Sequence, residues 1–364
     1  MQIKHSTVSK IKFLKQWIFP CLLVLFVLIL QAFPAVVESL YSTYVYIKIA
    51  VLLRTIAGWL PISIGDIFYA VLCIQLCWLI GCFFYKLFNR KVEKKNVFIF
   101  LGKLVRTTLW VYIIFNVLWG LNYTRLGIAH QLKLQKNTYT EAEVKEVLCS
   151  LIDRVNTLRK QIGKDRLPSP TFNEIFEESA QLYKTIDTLY PFLAYKNSSI
   201  KKSLFSKVSH YIGFTGYYNP FSGEAQLSTN IPRIIVPYVA CHEIAHQLGY
   251  ASEDEANFVG YLACSRSSNL YFQYSVYLDL YKYAAMELLM MNIEEKNGWQ
   301  LDSLVRKDLR DIRNFFNKQN NDISPVMSQI YGQYLKANQQ DRGLESYNDV
   351  VGLLIAYKKK FRKI

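Results

Sequence analysis

The sequence predicts a mainly α protein: about three N-terminal transmembrane helices, then a helical domain that carries a small β edge element. Three observations lead there. Of the 364 residues, 51% are hydrophobic and only 20% charged, and the mean hydropathy is +0.09, which is too apolar for an ordinary soluble protein. The excess sits in long uncharged runs before residue 125, whereas beyond it apolar residues recur with helical period among ordinary polar ones. With 10 Pro, 16 Gly and no long polar tract, neither a disordered nor a collagenous chain fits.

The first run, Trp17 to Val37, holds no charge and is long enough to cross a hydrocarbon core of about 30 Å. Lys4, Lys10, Lys12 and Lys15 precede it, and Ala32-Phe-Pro-Ala35 loosely resembles a cleavage site. A cleaved signal peptide is therefore the competing reading, but the run exceeds an h-region of about 7 to 15 residues. Ile67 to Tyr85 and Thr107 to Thr124 follow, which gives spans at 17–37, 67–85 and 107–124 and a membrane domain over residues 1–124. Tyr41 to Trp59 is apolar but interrupted by Lys48 and Arg54, which suits an interfacial helix better than a fourth crossing, although a crossing stays open. The lysine-rich tail and the loop from Lys86 to Asn96, with Lys86, Arg90, Lys91, Lys94 and Lys95 against Glu93, should face the cytoplasm. The loop from Glu38 to Asp66 is balanced, so residues 125–364 should lie outside. The net charge of +15 thus reflects topology in large part, and no nucleic-acid partner is expected.

In the second half, Thr140-Glu-Ala-Glu143 is a capping box. Val144, Val147, Leu148, Leu151, Ile152, Val155 and Leu158 then follow at helical spacing. A second box, Thr171-Phe-Asn-Glu174, opens a helix that should end before Pro191. Glycines and prolines cluster from Gly213 to Pro237, where Glu224 to Ser228 can form one short exposed strand. After Pro237 the chain reads helical almost to its end, and Tyr274, Tyr277, Leu278 and Tyr281 mark a core-facing helix within Tyr271 to Tyr283. The seven cysteines, at 21, 73, 77, 82, 149, 241 and 264, match no disulfide framework, zinc ribbon or CxxC motif.

Tyr238-Val-Ala-Cys-His-Glu-Ile-Ala-His246 contains HExxH. On a helix this spacing aims His242 and His246 at one metal and places Glu243 where it can hold and deprotonate a water. A third ligand is needed, and His5, His130 and His210 lack suitable spacing. Downstream, Gly249 can end the first helix and Ser252 can start the next. Two glutamates compete for the ligand role. Ser252 and Glu255 would make a capping box, which gives Glu255 a structural task and favours Glu253, with Glu255 as the alternative. Asn257 lies four residues beyond Glu253 and could orient a ligand histidine. Two His and one carboxylate would hold one Zn2+ with a position open to water. Gly223 to Thr229 could hold a substrate backbone in extended form or be a structural hairpin. His210, Tyr217, Tyr218 and Tyr347 are oxyanion donors by residue type alone.

HExxH followed by Glu-x-x-Ala-Asn resembles the gluzincin branch of zinc metallopeptidases, in which the third ligand is a glutamate on the following helix. Asn257 stands where Asp is more usual, and the interval from His246 to Glu253 is shorter than in thermolysin-like enzymes. Gly249 is similar to the turn glycine of metzincins, but Ser252 stands where their third histidine would be. Trp119-Gly-Leu-Asn-Tyr123, Gly216-Tyr-Tyr-Asn-Pro-Phe-Ser-Gly-Glu-Ala225, His242 to Asn257 and Tyr334-Leu-Lys-Ala-Asn338 resemble more closely a bacterial membrane family, domain of unknown function 3810, found mainly in Bacteroidota. The resemblance implies a zinc peptidase with no assigned substrate. Together with the expected topology, the reading is a multi-pass inner-membrane protein whose periplasmic, zincin-like domain hydrolyses peptide bonds of a cell-envelope protein or peptide. A membrane sensor or scaffold that keeps a zinc site without turnover is the alternative.

Overall fold

The computed structural model describes residues 2–89, 94–135, 138–163, 167, 170–291, 300–319 and 321–364; the side chains of 2–15, 87, 94–96, 210 and 212 are not among them. The basic tail and the 90–93 part of the basic loop, on which the expected orientation rests, therefore lie outside the described side chains. The fold is mainly helical, with one small sheet.

Helix α1 (Gln2–Gln31) ends earlier than the first apolar run suggests. The chain turns at Ala32 and Phe33, because Pro34 has no N–H to continue the helix and restricts the residue before it. From Pro34 a second helix, α2, runs to Gly58, with π-type turns over Val37–Val45. It is followed by α3 (Ile64–Phe88) and α4 (Lys94–Leu118). Three stretches, Pro34–Gly58, Ile64–Lys86 and Val97–Leu118, are long and apolar enough to cross a membrane; Gln16–Gln31 within α1 is a shorter apolar helix. The third expected span is divided: α4 stops at Leu118, and Gly120–Thr124 forms a 3-10 turn whose Leu121 and Asn122 are buried.

Helices α1 and α4 lie side by side and run the same way. Arg106 donates to Gln16 Oε1 at 2.8 Å near one end, and Gln31 Nε2 donates to Asn116 Oδ1 at 2.9 Å near the other. Helix α3 starts against the C-terminal half, where Glu224 accepts from Ser63 Oγ and from the N–H groups of Ile64 and Gly65. A carboxylate at that end meets both the unpaired N–H groups and the positive pole of the helix.

Although α2 matches α3 and α4 in length and composition, its setting differs. Its Glu38 is buried and binds Arg125, the Gly127 N–H and Gln131. Its Arg54 is buried too and donates to the Lys196 and Gln247 carbonyls. These residues are about 24 Å apart along a helix, so α2 lies along the C-terminal half over most of its length. Beyond Asp66, by contrast, no residue of α3 whose side chain is described is buried.

After the short helix α5 (Gly127–Gln131), both sequence-read capping boxes are closed, at Thr140/Glu143 for α6 (Glu141–Ile162) and at Thr171/Glu174 for α7 (Phe172–Ile186). Three strands follow, β1 (Ile200–Lys202), β2 (Gly216–Asn219) and β3 (Glu224–Leu227), with α8 (Ser209–Ile212) between the first two. The sheet order is β1-β3-β2, with β1 parallel and β2 antiparallel to β3. The strand expected at Glu224 to Ser228 is thus central and buried on both edges, not an exposed edge; β2 takes an outer position.

Helices α9 (Val236–Gln247) and α10 (Glu253–Cys264) are buried at every residue. Around them pack α7, β3, α11 (Leu270–Met290) and, after α12 (Ser303–Asn317), α13 (Ile323–Ala337) and a 3-10 turn over Gly343–Asp349, the last helix α14 (Val350–Phe361). The tyrosine face of α11 is core, and Tyr274 and Arg159 both bind Asp308 Oδ2, tying α11, α6 and α12 together.

Residues 125–364 alone would leave Arg125 without Glu38 and Glu224 without Ser63, Ile64 and Gly65. Each orphaned buried charge costs about 3–5 kcal/mol, and two such losses approach a typical total stability of about 5–15 kcal/mol. We therefore expect fragment 125–364 to show no cooperative thermal transition by circular dichroism under conditions where the full chain in detergent does.

Candidate metal centre

One helical turn separates His242 from His246 on α9, so both imidazoles leave the same face; their ring centroids are 4.6 Å apart and the planes perpendicular. Helix α9 ends at Gln247, and Gly249 (φ +86°) reverses the chain. A Cβ at Gly249 would come within 2.7 Å of the Tyr46 ring, so both conformation and space require glycine there. Ser252 then opens α10 with extended backbone. Its first helical residue, Glu253, points back at the histidines.

Glu253 Oε2 lies 3.2 Å from His242 Nε2 and 3.6 Å from His246 Nε2, and the three potential ligand atoms fall within 4.8 Å of one another. Each imidazole is held from behind. Asn257 Oδ1 is 2.9 Å from His242 Nδ1, and the Tyr250 carbonyl is 2.7 Å from His246 Nδ1. Acceptors at both Nδ1 atoms hold a proton there, so that each Nε2 faces the carboxylate and presents a lone pair once its own proton is gone. Tyr331 donates to Glu253 Oε1 at 2.6 Å, while Oε2 is buried without a hydrogen-bond donor. A buried carboxylate oxygen and two converging lone pairs lack a positive charge, which a divalent cation supplies. Among the described residues, His242, His246 and Glu253 form a cluster that can hold a metal ion.

Glu243, beside the first histidine, is also buried, and its Oε2 has no partner. Gly216 of β2 packs against it so closely that a Cβ would meet Glu243 Oε1 at 2.6 Å. Burial pushes the Glu243 carboxyl up to about 7, although His242 and His246 pull it down. Burial opposes a charge on His246, but the adjoining Glu253 outweighs it and raises its pKa to about 9. Burial likewise works against Glu253 as an anion, yet the two imidazoles hold it well below the usual carboxylate range.

The expected Ser252–Glu255 capping box is not formed. Ser252 makes no side-chain capping bond, and Glu255 Oε1 accepts instead from the Ile128 N–H at the start of α5, 2.8 Å away. Glu255 therefore ties α10 to α5, and it is Glu253 that reaches the histidines. Of the tyrosines named on residue type, Tyr217 is bound to Asp66, and Tyr218 accepts from Tyr46. Tyr347 stacks over His242, with 6.4 Å between centroids and 13° between planes. The side chain of His210 lies outside the described residues, and His130 is exposed.

Several site residues carry no sequence signal. Tyr331 is one of 26 tyrosines, and 78 residues separate it from Glu253. The C-terminal carbonyls of α9 are met from the N-terminal third of the chain. Trp119 Nε1 donates to the His246 carbonyl at 3.2 Å, Tyr46 and Arg54 donate to that of Gln247 at 3.0 and 2.9 Å, and Arg125 donates to that of Gly249 at 3.1 Å. The Gln247 side chain joins the same helix end to the Ser199 and Gly223 carbonyls and to Tyr195.

A family model described as Protein of unknown function (DUF3810) matches residues 41–355. No curated protein and no solved structure matches the chain.

A ligand and a structural tie fail differently when removed. Glu253→Ala should abolish stoichiometric zinc uptake, measured by metal analysis after dialysis. Glu255→Ala should retain it while losing about 1–3 kcal/mol of stability through the orphaned Ile128 N–H, read from thermal melts.

Proposed function

The chain belongs to the DUF3810 family of proteins of unknown function, and from that premise we propose that it is a membrane-anchored zinc peptidase that hydrolyses peptide bonds of a cell-envelope protein or peptide. The observation that carries this reading is Glu243: a buried, unpaired carboxyl one residue from a metal ligand, beside a two-histidine, one-glutamate cluster. A binding site kept for stability alone has no use for a second orphaned carboxylate.

His242, His246 and Glu253 would hold the zinc, and when bound it would polarise a scissile carbonyl and lower the pKa of its water. Glu243 takes the proton of the attacking water and passes it to the leaving amine. With its pKa pushed up to about 7, it can both accept and return a proton near neutrality. Asn257 and the Tyr250 carbonyl keep the ligand rings in register. Strand β2, with Gly216 against Glu243, offers an outer strand along which a substrate backbone can extend. The HExxH helix, the glutamate-bearing helix after it and the adjoining sheet together support a zincin-like domain of the gluzincin kind.

The three helices long and apolar enough to cross a membrane support a multi-pass protein of the inner membrane, and the basic tail and basic 86–96 loop favour a periplasmic side for residues 125–364.

Glu243→Gln should keep one zinc per chain and lose about 100-fold or more of its peptidase rate, measured on an internally quenched peptide pool with the full chain in detergent; full activity in that variant would refute the assignment of the base. A periplasm-active reporter fused after Ile364 should be active, and activity of a cytoplasm-only reporter there would reverse the topology.

A further inference from the structure

Helix α13 is the one feature of the site's surroundings that a peptidase in bulk water does not explain. From Ile323 to Leu335 it carries no charge, yet Ile323, Val326 and Ile330 are 51%, 55% and 56% exposed. Surface helices ordinarily turn charged side chains outward. Helix α8, which packs against α13, is preceded by exposed Leu204 and Val208, so the apolar surface continues there.

The same helix covers the metal centre, since its Tyr331 binds Glu253. Its position relative to the membrane-length helices is set by a ladder of rings. Phe115 of α4 lies 6.0 Å from Trp119, Trp119 lies 5.1 Å from Tyr123, and Tyr123 lies 6.3 Å from Tyr334 of α13 with their hydroxyls 3.2 Å apart. Trp119, the residue after the last of α4, also lies 6.0 Å from the His246 ring. Trp119 follows directly on Leu118, so the His246 ring stands one aromatic side chain away from the end of α4. The headgroup layer adds roughly 5–8 Å outside the hydrocarbon. A centre one side chain from the end of a membrane-length helix lies within reach of that layer, and the Tyr123–Tyr334 contact joins α13 to the same end.

Resting on the peptidase reading, we propose that the site acts on polypeptides anchored in the same bilayer, which reach it along the membrane surface beneath α13. The apolar face of α13 rests in lipid. Anchored substrates are concentrated in the layer where the site stands, whereas a free peptide meets a ligand set that is almost wholly covered.

The test uses the full chain, reconstituted with zinc in vesicles of phosphatidylethanolamine and phosphatidylglycerol. One randomised, internally quenched peptide pool is presented in three forms: free, N-palmitoylated, and fused to a transmembrane helix. We expect kcat/KM for at least one anchored form to exceed that for the free form by about tenfold or more, and the ratio between the two anchored forms identifies the anchor. Free peptide cleaved as fast as both anchored forms overturns the proposal and leaves the peptidase reading intact. Absence of Glu243-dependent cleavage of all three overturns that reading and the proposal with it. In the same vesicles, photo-crosslinking p-benzoylphenylalanine in place of Ile330 should yield lipid adducts; adducts confined to a second copy of the chain, or to another protein, would overturn the placement of α13.

Discussion

The C-terminal end of helix α9 is buried, and its carbonyl groups need donors. A helix leaves its last carbonyls unpaired, and away from water each one must be met or the helix frays. Here the donors are Trp119, Tyr46 and Arg54, all from segments that precede residues 125–364 in sequence, and Arg125 meets the Gly249 carbonyl just beyond the helix. Since His246 stands in the last turn of that helix, the placement of its ring depends on contacts made with the N-terminal third. The other ties, Glu38 to Arg125 and Glu224 to the start of α3, hold the two halves in the register that this end requires.

Charge is buried in this protein where two chain segments must be joined and where the site needs it. Glu38 with Arg125 and Arg159 with Asp308 are paired, and Glu224 is met by backbone N–H groups. Against that background the two carboxylate oxygens without donors, on Glu243 and Glu253, stand out. Among the described residues the other buried carboxylates have partners, whereas these two each keep one oxygen unmet beside His242 and His246. That contrast sets a cluster that can hold a cation apart from an ordinary polar core.

Much of the centre was legible because its signal is local. HExxH places two rings and a carboxyl on one turn of a helix, and Gly249 and Ser252 punctuate the chain within a few residues. The choice between Glu253 and Glu255 was reached through a capping box that is not there; Glu255 is occupied, but by Ile128. Its true partner lies 127 residues away, and no spacing rule reaches that far. The same limit explains the strand. Residues 224–227 looked like an edge because β1, their parallel neighbour, is only three residues long and leaves no period to detect. Lys48 and Arg54 set α2 apart from the uncharged run of α3 in the sequence, but that Glu38 and Arg54 are buried against Arg125 and the end of α9 shows only in what they touch.

The order of synthesis gives the capping of α9 a direction in time. Tyr46, Arg54, Trp119 and Arg125 leave the ribosome before His242 and His246, and domains fold broadly from the N-terminus as they emerge. The helix bearing His242 and His246 is therefore completed on a platform already laid down, and a chain whose early segments are misplaced leaves its last carbonyls without donors. Such an arrangement gives biogenesis an order: the end of α9, with His246 on its last turn, is completed only once the early segments that cap it are in place.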